Sequence, residues 1–100
     1  MTYYFISCGE VVNQMYKLEA DNMRDAVSET EEKADDNDYI VEIDGNPEII
    51  TEYGEYHWIA ADDEAVTDVA YWYHIDDSVE GMDAGWYIEY HGEYIPYKEW

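Results

Sequence analysis

Twenty-six Asp and Glu residues stand against three Lys and one Arg, a formal net charge of −22 on a chain of 100 residues. Any fold built from this sequence must hold against its own repulsion. The residues that oppose it are aromatic. Twelve Tyr and four Trp swell the apolar fraction to 47%, and each buries a large area while keeping a polar tip for water. The chain therefore has the means to fold, where charge alone would leave it disordered. Its length predicts one acidic domain, residues 1–100, with a modest core that needs no staples.

The charge also selects partners. Solubility is served by a net charge of magnitude about 2–8 in a small domain, and −22 lies far beyond that. DNA, RNA and anionic membranes are polyanions and are excluded as direct ligands. Basic protein surfaces are favoured. Cys8 is the single cysteine and has no internal disulfide partner. No apolar run approaches the roughly 18 residues of a membrane span, and residues 1–5 lack the basic and apolar segments of a secretory leader. These features predict a cytoplasmic protein.

Along the chain, residues 3–8 and 11–19 read as a hairpin turned at Gly9 and Glu10, from their aromatic and β-branched content. Asp21 or Asn22 can cap a helix over 21–35, with Met23, Ala26, Val27, Thr30 and Ala34 on its buried face. Residues 39–43 read as a strand, followed by a turn at 44–47. Two more strands are predicted at 48–53 and 55–60. A second helix is predicted from near Asp62 to Tyr73, burying Ala65, Val66, Val69, Ala70 and Tyr73. An acidic loop spans 75–85. A closing hairpin, 86–90 and 93–97, turns at His91 and Gly92. A weak echo relates residues 17–22 to 58–63 and 39–45 to 86–92, so each half could be hairpin, helix, strand. The expected fold is α+β: an antiparallel sheet with two helices packed on one face.

The placement of the acids carries the functional argument. Asp21, Asp25, Glu29, Glu32 and Asp36 are spaced by four, four, three and four residues. On a helix that spacing makes one stripe opposite the apolar face. Like charges one turn apart cost about 0.2–0.5 kcal/mol per pair, and acids near a helix end oppose its dipole. Selection for stability alone would not build such a stripe. Its carboxylates would stand about 5–6 Å apart, on the scale of DNA phosphates at about 3.4 Å of axis per strand. Asp62, Asp63, Glu64 and Asp68 offer a second row, and Asp76, Asp77, Glu80 and Asp83 a third. A surface that grips phosphates with Lys and Arg would accept such rows, with charge-assisted hydrogen bonds fixing the register. Trp58, Trp72, Trp86 and Trp100 are candidate anchors within that interface.

In size, charge, acidic helix and aromatic strands the chain resembles the small acidic DNA-mimic inhibitors of bacteriophages, the anti-CRISPR and anti-restriction class. The resemblance is one of class, without a shared motif. It implies stoichiometric inhibition, in the host bacterial cytoplasm, of a complex whose nucleic-acid site is occupied by the mimic. A CRISPR-Cas complex is the favoured target because its channel is broad and basic, and a restriction enzyme comes next. The contacts would be Asp21, Asp25, Glu29, Glu32 and Asp36, supported by Asp62, Asp63, Asp68, Asp76 and Asp77. A homodimer would lengthen the mimic.

Other chemistries find little footing. From Asp36, a calcium loop would need Asx and Gly where Ile40 and Val41 stand. His57, His74 and His91 are 17 residues apart, outside zinc-ligand spacing. No phosphate loop or nucleophile elbow is present, and carboxylates are so abundant that no pair marks a hydrolase. The reading is therefore of a protein that is not an enzyme and has no metal or cofactor. Two rival readings are a halophile's acidic surface, which should unfold without salt, and an acidic adaptor or antitoxin that neutralises a basic protein.

Overall fold

The structure, a computed structural model, describes residues 1–10, 13–45, 50–53, 57–60 and 63–100, with the backbone alone at 50–53, 57–60 and 63. Its first strand explains the rest. β1 (Thr2–Cys8) is a continuous aromatic and β-branched run, which suits a strand covered on both faces. Tyr3 and Phe5 enter one core and Tyr4 and Ile6 a second, on opposite faces of the sheet. β1 lies between β2 (Asn13–Glu19) and β3 (Tyr39–Ile43), antiparallel to both.

The sheet has six antiparallel strands in the order β2-β1-β3-β6-β7-β8, where β6 is Val66–Ile75, β7 Gly85–Tyr90 and β8 Glu93–Pro96. β4 (Ile50–Tyr53) and β5 (His57–Ala60) form a separate antiparallel pair, and β5 comes against β1. The expected strand residues 11, 12, 48, 49, 55 and 56 lie outside the described residues. β7 and β8 turn at His91 and Gly92, with φ of 52° and 79°. Positive φ at both central residues gives the tight turn whose twist matches a hairpin.

α1 (Met23–Thr30) crosses one face between β2 and β3. Asn22 caps it, its side chain accepting from the Asp25 amide at 2.9 Å. Met23, Ala26 and Val27 meet Tyr3, Phe5, Ile40, Ala70, Trp72 and Ile88, and Tyr97 and Trp100 close the same layer. The opposite core gathers Tyr4, Ile6, Tyr39, Val41, Ile43 and Ala65.

Three expectations are corrected. The helix predicted over 21–35 ends at Thr30. Acids crowd the end where the dipole repels them, and Asp38 takes the Asp35 amide at 2.8 Å, diverting the chain into a turn. The predicted second helix is not found among the described residues: a 3₁₀ turn (Asp63–Ala65) leads into the ten-residue β6. Val66, Thr67, Val69, Tyr71, Trp72, Tyr73 and Ile75 are β-formers, and β3 and β7 hydrogen-bond β6 on both sides. The fold is therefore α+β with one α-helix among the described residues, not two. With β6 in place of a helix, the second half does not repeat the first, and the suggested duplication fails there.

Candidate functional site

The registers place two acidic segments at one end of the sheet. Ile6 pairs with Tyr39, Tyr39 with Tyr71, and Ile75 with Gly85. The turns after α1, which lead into β3, therefore share an end with the β6–β7 connection, 76–84. The first contributes Glu31, Glu32, Asp35 and Asp36, and the second Asp76, Asp77, Glu80 and Asp83; all eight are exposed.

Both segments are held in shape. The carboxylate of Asp38, itself 1% exposed, accepts from the Cys8 and Asp35 amides, each at 2.8 Å. The Asp38 carbonyl accepts from the Trp72 amide at 3.1 Å, tying the acidic turn to β6. Burial raises the Asp38 pKa, against the two amide hydrogen bonds that lower it, and neighbouring Asp35 and Asp36 add to the rise. In the other segment Val79 and Met82 exchange two main-chain hydrogen bonds of 3.0 and 2.9 Å around Glu80 and Gly81, which have φ of 49° and 85°. The Tyr87 hydroxyl donates to the Asp83 carbonyl at 2.7 Å, and His74 Nδ1 meets Asp76 at 3.0 Å. The acidic loop is thus a small hairpin, anchored at both ends.

The expected contact residues divide. Glu32, Asp36, Asp76 and Asp77 come to this shared end. Asp25 and Glu29 lie on α1, one turn apart and exposed, while Asp21 precedes the cap near the opposite end of the sheet. The continuous helical stripe is therefore shorter than expected, since Glu32 and Asp36 lie in turns. Asp68 is no part of a helical row. It sits on β6 with its side chain 19% exposed, accepting from the Tyr90 hydroxyl and lying 2.9 Å from His91 Nε2. That is a tie within the sheet. Asp62 lies outside the described residues, as does the side chain of Asp63.

Of the chain's four cations, only Lys33 belongs to the acidic turn, against eight exposed carboxylates at that end. Arg24 lies over the Trp100 ring at 5.8 Å and Lys33 over Tyr16 at 5.3 Å. Lys17 is exposed on β2, and Lys98 in the 3₁₀ turn Tyr97–Glu99. Elsewhere on the sheet, Glu89 is the main cause of a raised Tyr94 pKa, and adds to the burial that raises Tyr71.

The aromatic neighbourhood was not foreseen as an arrangement. Trp72 is buried, Trp100 packs edge-on against Tyr90 at 5.2 Å, and the side chain of Trp58 lies outside the described residues. Trp86 remains 37% exposed. It stands perpendicular to Trp72 at 6.0 Å, and Trp72 meets Tyr97 at 5.2 Å. With Glu31, Glu32 and Ala34 these rings line a cleft of about 250 Å³ beside the acidic end. With residues 62–73 expected as a helix, Trp72 was not set beside Trp86; the strand register and the terminal turn bring the rings together.

Among the described residues, no three His, Cys, Asp or Glu side chains are grouped to hold a metal ion, and no helix is long and apolar enough to cross a membrane. No protein-family model, curated protein or solved structure matches the chain.

Proposed function

We propose that this protein is an acidic mimic of nucleic acid, which docks on the cationic DNA-binding surface of another protein complex and excludes DNA from it. The observation that carries the reading is the convergence of eight exposed carboxylates, from two segments far apart in sequence, on one end of the sheet. Carboxylates carried on hydrogen-bonded turns lose less backbone entropy on docking than those of a flexible acidic tail would. The net charge of −22 steers the encounter with a basic groove. The favoured target is a bacterial CRISPR-Cas complex, with a restriction enzyme as the next choice, and the site of action is the host cytoplasm.

The test is capture on the immobilised protein from lysates carrying these defence systems, with elution by salt and by DNA. Recovery of a nucleic-acid-binding complex that its own DNA displaces supports the reading. A captured basic toxin that DNA does not displace would transfer the surface to an antitoxin role. Unfolding of the protein at low salt, with no partner recovered, would point to a halophile's acidic surface.

A further inference from the structure

The cleft beside the acidic end combines two kinds of wall. Trp72 from β6, Trp86 from β7 and Tyr97 from the terminal turn present rings at different tilts, 85° between the two indoles and 45° between Trp72 and Tyr97. Glu31 and Glu32 stand at its rim. The Tyr97 hydroxyl donates to Glu31, holding that carboxylate against the ring. Among the described residues no cation lines this cleft, and Lys98 lines a neighbouring one that shares Trp86 and Tyr97. Aromatic faces attract cations through their negative quadrupole, and an adjacent carboxylate adds a hydrogen-bond acceptor of full charge. The fold already uses this chemistry internally, with Arg24 over Trp100 and Lys33 over Tyr16.

We infer that this cleft receives the guanidinium of an arginine from the partner, making it the anchor around which the acidic surface docks. The inference rests on the proposed docking to a cationic surface. Arginine fits better than lysine on two counts. Its planar head stacks on an indole face, and its forked N–H donors reach a carboxylate in pairs, whereas an ammonium is a compact and strongly hydrated point charge. Trp86, which packs against the His74 ring at 4.7 Å and is still 37% exposed, provides the accessible indole, and Glu32 lines the cleft as an acceptor beside buried Trp72.

The test is an NMR titration of the full chain with two capped tripeptides, Gly-Arg-Gly and Gly-Lys-Gly, at one ionic strength, following the indole N–H signals of Trp72 and Trp86. Tetramethylammonium is titrated in parallel. The expected result is saturable movement of both indole signals with the arginine peptide and a several-fold weaker response to lysine. Trp86→Ala should weaken arginine binding about two- to thirtyfold, the range of a cation–π contact. Glu32→Gln, which leaves the rings in place, should weaken it while the amide spectrum stays native. Equal responses to arginine and lysine, spread over the acidic residues without the indoles, would overturn the inference, as would preferential binding of tetramethylammonium. Capture of a DNA-binding complex is scored separately with Trp86→Ala. Capture undiminished there overturns the anchor and leaves the docking reading intact. Arginine bound in the cleft of a protein that captures no such complex upholds the cleft and removes that reading.

Discussion

Asp38 shows how far a carboxylate in this chain can depart from its neighbours. By composition it is one acid in a run of five between residues 31 and 38, yet it alone among them is buried and accepts two main-chain N–H groups. Asp38→Ala should lower stability by about 1–3 kcal/mol, since it strands those donors. Asp38→Asn should cost less, because it retains one acceptor and removes a charge that burial disfavours. Urea unfolding at neutral pH separates the two. The raised folded pKa sets the sign with pH: the native state holds the proton more tightly than the unfolded chain, so this residue's contribution improves as pH falls through its folded pKa towards 3.8. Nothing in the local sequence distinguishes Asp38 from Asp35 or Asp36. The distinction arises when β1 ends beside the turn and presents the Cys8 amide.

At the scale of elements, the strands with a turn signal on at least one side were legible. β1, β3, β7 and β8 follow from aromatic and β-branched runs bounded by Gly9, Gly45 and the His91–Gly92 turn. β6 was not, because the acids at 62–64 imitate a helix start and Ala65, Val66, Val69 and Ala70 fit a helical face as well as a strand. Pairing on both edges decides it, and pairing is a tertiary fact. Two elements are pinned by tyrosine hydroxyls: Tyr90 donates to Asp68 between β7 and β6, and Tyr97 to Glu31 between the terminal turn and the end of α1. Burial first, then these carboxylates, push both phenols up to about 12. A raised pKa means that the folded state keeps the proton longer. The stabilisation is whole below pH 10, the ordinary phenol value, and is lost as pH rises from there through about 12. Circular dichroism during alkaline titration should show cooperative unfolding in that window. Tyr90→Phe and Tyr97→Phe should each flatten the pH dependence while lowering stability near neutrality. Unchanged alkaline profiles in both variants would contradict these ties.

For the molecule as a whole, the sequence announced an acidic surface but not its arrangement. The expected helical stripe gave way to a cluster at one end of the sheet, because α1 stops at Thr30 and the 76–84 hairpin lies at the same end. A surface that concentrates like charge in this way opposes its own folding, and salt should relieve it. Raising NaCl from 20 to about 500 mM should raise Tm, by about 4–8 °C for each kcal/mol of repulsion screened in a domain of this size. The same salt should weaken docking to a basic partner. Opposite responses of stability and affinity are the signature expected of a mimic, whereas a halophile's protein would gain stability without losing a partner.

The most direct measurement of the central claim is inhibition of target DNA binding, read by fluorescence anisotropy, for two neutralised variants compared at equal charge. One carries Glu32→Gln with Asp36→Asn, at the acidic end. The other carries Asp21→Asn with Asp25→Asn, near the opposite end of the sheet. The first should lose inhibition by tenfold or more and the second by far less, with both folded. Equal losses would reduce the surface to net charge alone, and inhibition that survives at the acidic end would contradict the account.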